Sequence, residues 1–180
     1  MEVAGNCYVV KVAEPKDLGF THSEMIHNLP VTGVIVDVPK GKPGKKGQKV
    51  LFQYNVHFEH PIIEGVMAIP FEYFYMIGPW CVNDYVLCTY YGKDKNYRFE
   101  DDYIKSQGQV VFCRKNSLFE EKTIIFDPRR AHKIEKENFN TTTEDKYSLV
   151  AVKERDILFY REIKVVPIRP RRWLGSFFRF

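Results

Sequence analysis

The chain has no apolar run approaching the ~20 residues that a membrane-crossing helix needs. That excludes a helical membrane span, and no membrane role is expected. Cysteine is scarce: Cys7, Cys81, Cys88 and Cys113 are the four, and no two form a C-x-x-C pair. With no leader-like segment ahead of them, they are expected as four reduced thiols in an intracellular, cytoplasmic protein. There is no P-loop and no G-x-G-x-x-G, so nucleotide chemistry has no handle here. His57 and His60 stand three apart without a third ligand. His22 and His27 have no carboxylate or cysteine at useful spacing, so all four are read as structural or solvated rather than metal-binding. Asp101 and Asp102 form a lone acidic pair in a polar stretch, which reads as solvated rather than as an acid–base couple. No enzyme, metal or cofactor is expected.

Aromatic residues, by contrast, are plentiful at 15%, with 14 Phe and 11 Tyr set against 10 Pro and 11 Gly. This composition favours many short strands joined by turns. The strands occur in two series. Tyr8-Val9-Val10-Lys11-Val12 is answered 77 residues on by Tyr85-Val86-Leu87-Cys88-Thr89. Gly33-Val34-Ile35-Val36 is answered after 75 residues by Gly108-Gln109-Val110-Val111, and Val50-Leu51-Phe52 after 74 by Ile124-Ile125-Phe126. Val66-Met67-Ala68-Ile69 returns after 83 as Leu149-Val150-Ala151-Val152. Four apolar blocks repeating in order predict two copies of one small β unit in tandem.

Each copy is expected to open with a β-branched strand, Cys7–Ala13 or Asp84–Tyr91, followed by a long polar connection, 14–30 or 92–107. Connections of that length are often functional, and 14–30 is expected to be less ordered than its flanks. Strands Gly33–Val38 and Gly108–Cys113 follow. A turn-rich tip comes next at Pro39–Gly44, within a lysine-rich stretch read as a solvated loop. Strands Gln48–Tyr54 and Lys122–Asp127 precede loops holding His57 and His132. Gly65–Ile69 and Tyr147–Val152 then lead into a turn and last strand, Pro70–Ile77 and Lys153–Tyr160. The second copy carries an extra polar insertion, Glu137–Lys146. Gly78-Pro79-Trp80 is read as the boundary between the copies.

Several of these blocks resemble GroES-type co-chaperonins. Arg155-Asp156-Ile157-Leu158 is similar to the polar turn and Asp that precede the family's last strand. Lys122–Asp127 followed by Ala131-His132-Lys133 resembles a barrel strand and its small loop. Gly47-Gln48-Lys49-Val50-Leu51-Phe52 resembles the G-D-x-V-x-F strand, with Gln48 in place of the acid, and Gly33–Val38 resembles the G-x-V-x-x-V strand. The resemblance spans nearly 160 residues. It implies an all-β fold of two tandem GroES-like small β-barrels, 1–80 and 81–160, with a C-terminal extension, 161–180. It further implies that 14–30 holds the place of the loop that docks on a chaperonin, with Met25, Ile26 and Leu29 as its apolar edge. Tyr103 and Ile104 would be the anchor in the second copy. The family's Gly-Gly followed by three aliphatic residues is absent.

The last segment has no counterpart in the first copy. Residues 161–180 hold six basic side chains against Glu162 alone. Pro167 and Pro170 exclude a regular helix there. Trp173, Leu174, Phe177, Phe178 and Phe180 are too apolar for a free tail, so docking on this chain or a partner is expected. Stacking of the same aromatic and basic residues on nucleic acid is the alternative. Two functions follow. One is a homo-oligomeric, ring-forming co-chaperonin-like cap. The other is a structural assembly protein, such as a virion ring or connector component, bound to other virion proteins.

Overall fold

A computed structural model describes residues 6–12, 31–91, 107–134 and 147–162. The fold is all-β, with two curled antiparallel sheets. The chain divides into two compact units, Met1–Asn83 and Asp84–Phe180. Unit 1 contains β1 (Cys7–Val12), β2 (Thr32–Asp37), β3 (Lys49–Phe52), β4 (Val66–Pro70), β5 (Phe74–Ile77) and β6 (Trp80–Cys81) in the sheet order β4-β1-β2-β3-β5-β6. Unit 2 contains β7 (Tyr85–Tyr91), β8 (Gln107–Phe112), β9 (Lys122–Phe126), β10 (His132–Ile134), β11 (Tyr147–Lys153) and β12 (Ile157–Glu162) in the order β10-β11-β7-β8-β9-β12.

The pairing scheme recurs. β1 pairs with β2 and β4, β2 with β3, and β3 with β5; β7 pairs with β8 and β11, β8 with β9, and β9 with β12. Even the irregularities coincide. The second strand of each unit is bulged against the first, so that Val36 and Val111 are skipped opposite the Val9/Val10 and Leu87/Cys88 steps. The third strand is bulged against the last of the repeat, so that Tyr75 and Leu158 are the skipped residues.

Register corrects one sequence expectation. Val10 faces Ile35 and Met67, while Cys88 faces Val110 and Val150. The counterpart of Tyr8 is therefore Val86, and the offset of this strand is 78 rather than 77. The cores agree: Tyr8, Val10 and Val12 lie in the apolar cluster of unit 1, and Val86 and Cys88 in that of unit 2. A slip of one residue exchanges the two faces of a strand. Tyr85 is buried on the opposite face, where the Lys153 ammonium lies 3.9 Å from its ring centre.

A glycine sits where the second strand passes close to the first in each sheet. A Cβ on Gly33 would press on the Val10 side chain and lie 2.7 Å from the Lys11 carbonyl oxygen. One on Gly108 would lie 2.5 Å from Cys88 Sγ and 2.8 Å from the Thr89 carbonyl oxygen. The second strand can approach the first this closely only without a side chain there. Beneath it, the core of unit 1 is aromatic. Tyr8 meets Phe74 edge-on at 5.0 Å and Phe74 meets Phe52 at 6.4 Å. Full burial of such side chains stabilises by about 1.5–3 kcal/mol each. The Tyr8 hydroxyl reaches through to donate to the Pro43 carbonyl at 2.6 Å, tying the hairpin tip to the core.

Two short strands stand where loops were expected. Trp80, read as part of the boundary, and Cys81, read as the start of the second copy, form β6 after a turn at Gly78 (φ 60°), a backbone angle that favours glycine. Residues 132–134, read as part of a histidine loop, form β10 against β11.

Gly108→Ala is expected to destabilise the fold by about 1–3 kcal/mol through overpacking against β7. Gly41→Asn, at an open left-handed turn position (φ 78°), is expected to cost far less. Denaturant unfolding of both variants checks this. A second expectation concerns alkaline pH. Burial pushes the Tyr8 phenol from 10.0 to about 12. A raised folded-state value means that its contribution is fully present below pH 10.0 and is lost as pH rises through about 12. Tyr8→Phe should cost about 1 kcal/mol at neutral pH by leaving the Pro43 carbonyl without this donor, and should flatten the loss of stability across that alkaline window. Tyr85, also raised mainly by burial, retains part of the dependence. Melting temperature against pH reads both effects.

Candidate functional site

The two long connections leave and re-enter each sheet at neighbouring points. In unit 1 the last residue of β1, Val12, stands opposite Gly33, and its N–H donates to the Gly65 carbonyl at 2.9 Å. On the return, Val31 is buried and its carbonyl accepts from Phe52 N–H at 2.9 Å. In unit 2, Tyr90 stands opposite Gly108, Tyr91 opposite Tyr147, and Gln107 opposite Ile125. Both roots are thus fixed by sheet hydrogen bonds. The candidate residues Met25, Ile26, Leu29, Tyr103, Ile104, Trp173, Leu174, Phe177 and Phe178 lie outside the described residues, as do His22, His27, Asp101 and Asp102.

The blocks that carry the family resemblance have local roles. Gln48, in place of the acid, still does an acceptor's work: its Oε1 receives the Lys45 N–H at 2.7 Å. Asp127 caps the 3-10 turn Pro128–Arg130. It accepts from Arg129 N–H at 3.0 Å and from the Arg129 guanidinium at 2.8 and 3.0 Å. The guanidinium bonds hold its carboxyl down at about 2. Asp156, only 8% exposed, accepts from Arg130 Nη1 at 2.9 Å. This joins the turn after β9 to the turn before β12.

The lysine-rich stretch is partly engaged by its own unit. Lys46 pairs with Asp37 at 2.9 Å, and its hydrogen bond holds that carboxyl below the ordinary range. The Lys42 ammonium lies 5.5 Å from the Phe71 ring centre, and burial lowers Lys49. His57 belongs to a 3-10 turn, Tyr54–Phe58, beside the rings of Phe52 and Tyr54. His60 packs edge-on to Tyr73. Among the described residues no three His, Cys, Asp or Glu side chains gather in a metal-binding group. No helix among them is long and apolar enough to cross a membrane.

All four cysteines are free thiols. Burial pushes Cys88 far up and is also the first cause of the rise at Cys113. Thiols so shifted supply little thiolate. One feature the sequence reading missed is the exposure of Leu158, Phe159 and Tyr160 on β12. The signal available was that no Gly-Pro pair like Gly78-Pro79 follows Tyr160 in the sequence.

Neither a protein-family model nor a curated protein matches the chain.

In the native protein at mildly alkaline pH, Cys7, which is only half-buried, is expected to be alkylated first, and Cys88 last. Mass spectrometry of timed samples gives the order. Early labelling of Cys88 would contradict its place beneath the Gly108 crossing.

Proposed function

We propose that this chain is a co-chaperonin-like cap built from two GroES-like barrels. It assembles into a homo-oligomeric ring and contacts a chaperonin through the connection 14–30, with Met25, Ile26 and Leu29 as the docking edge. The observation that carries this reading is a recurrence. The same order of five strands and the same bulges occur twice, and a long connection is inserted at the same point of each unit, between its first and second strands. A rigid sheet gripping both roots of a long polar loop suits presentation of a short apolar edge to a partner. The work is recognition rather than catalysis, and its place would be the cytoplasm.

A second reading is a structural assembly protein, such as a virion ring or connector component. Two observations favour it: the glycine and aliphatic signature is missing from 14–30, and the basic, aromatic segment 161–180 suits attachment to neighbours. Fold alone does not decide between them.

Native mass spectrometry with and without a chaperonin separates the readings. The cap reading expects a closed ring that binds chaperonin. It also expects Ile26→Asp to weaken that binding at least tenfold, on the order of 1.4 kcal/mol or more, with the melting temperature unchanged. A ring indifferent to chaperonin would transfer the case to the assembly reading.

A further inference from the structure

Charge is divided unevenly within unit 1. Its seven lysines include Lys40, Lys42, Lys45, Lys46 and Lys49, all within ten residues, and the stretch between Asp37 and Glu59 holds no acid. The first four lie on the connection from β2 to β3, and Lys49 opens β3. The matching connection of unit 2, from β8 to β9, is balanced. Arg114 and Lys115 stand there with Glu120 and Glu121, and Arg114 pairs with Glu154 at 3.0 Å. Two turns at one position of one fold thus differ in charge, so the sheet itself does not call for the lysines. The tip is also held in shape. Gly47 N–H donates to the Ile35 carbonyl at 2.8 Å, Lys42 N–H to the Pro39 carbonyl at 3.1 Å, and Lys45 N–H to Gln48 Oε1 at 2.7 Å. Beneath it the Tyr8 hydroxyl grips Pro43, and a Cβ on Gly44 (φ 102°) would lie 2.9 Å from Ile77 Cγ2. Lys40, Lys45 and Lys46 are exposed on this fixed loop. Holding like charges side by side costs electrostatic energy, and a polyanion laid across them offsets it.

We propose that the tip of the β2–β3 hairpin binds nucleic acid through its phosphate backbone, without reading sequence. Residues 39–49 hold only lysine, proline, glycine and Gln48, with no aliphatic or aromatic side chain. A docking surface for an acidic protein centres on a buried apolar core. A surface that enters a bilayer needs apolar side chains to insert. Phosphates need neither: lysine meets them as a point charge, and the counterions released drive binding. Unit 1 contains no arginine, so it lacks the fork that pairs with guanine edges. The Lys46–Asp37 pair, with side chains 72% and 46% exposed, is weak in water and would open to a phosphate. The Lys42 ammonium is steadied over the Phe71 ring, 5.5 Å from its centre. The surface involves none of residues 14–30, and the inference does not rest on the co-chaperonin reading.

Fluorescence anisotropy of a labelled DNA duplex of arbitrary sequence, titrated with the full chain over a range of salt, tests it. Each phosphate neutralised adds about 0.9 to the fall of log K with log salt. Lys40→Gln, Lys45→Gln and Lys46→Gln together should reduce that slope by about 2.7 and weaken binding roughly tenfold or more at low salt, with the melting temperature unchanged. Lys40→Arg, Lys45→Arg and Lys46→Arg together keep the charge and should bind as the native chain does, which guards against a misfolded glutamine variant. Three exposed charges removed elsewhere, by Lys11→Gln, Lys115→Gln and Arg155→Gln, should leave the slope within about one unit of the native value. Absence of binding at low salt overturns the proposal. So does an unchanged slope in the first glutamine variant, which would assign DNA binding to another part of the chain. An equal fall in both glutamine variants also overturns it, because net charge alone would then be responsible. Capture of phosphatidylserine vesicles or polyglutamate while the duplex stays free would overturn it too, and would assign the tip to a membrane or to an acidic protein.

Discussion

The approach of the second strand to the first, at Gly33 in one unit and Gly108 in the other, is the contact on which each sheet depends. With backbone and side-chain atoms of the first strand so near, any Cβ would force the pair apart. The same crossing lies between the bulge in the second strand and the root of the long connection. The glycine therefore fixes register, curl and the point from which 13–30 or 92–106 departs. Val10 and Cys88 are the side chains beneath it, one in each core. A thiol in that position is the smaller of the two, and its burial removes it from thiol chemistry.

Much of this was legible in the sequence. Glycine at the head of the second strand, followed by β-branched residues, marks the same place in both copies. The apolar blocks predicted the strands in their order. What the pattern did not settle was the face. On β1, Tyr8, Val9 and Val10 are all buried, and on β7 so are Tyr85, Val86, Leu87 and Cys88. Without an exposed residue every second position there is no period to read. The likeness of Tyr8 to Tyr85 then drew the alignment one residue away from the paired register.

The short strands were invisible for a different reason. β6 is two residues long and follows a Gly-Pro turn. β10 is three residues long and exists through its pairing with β11, more than ten residues further along the chain. Neither has a local pattern long enough to declare itself. The candidate docking residues were chosen by resemblance to a family loop and by composition. They fall on segments whose sequence, unlike that of the strands, carries little periodic constraint. The Asp156–Arg130 and Asp127–Arg129 pairs show the converse. There a turn acid picked out by resemblance has a plain local role, holding the corner that leads into the last strand.

The shared pairing scheme has a consequence for how the chain is made. Strands that occupy the same position in two sheets, with the same bulges, compete for the same neighbours while the polypeptide is collapsing. Every pairing of the first sheet is complete by Asn83. As the chain emerges from the ribosome, that sheet can close before the rival strands have left the exit tunnel. Refolding from denaturant removes this temporal order and lets β1 meet β11, or β7 meet β4. Synthesis and refolding should thus give different yields of the native tandem.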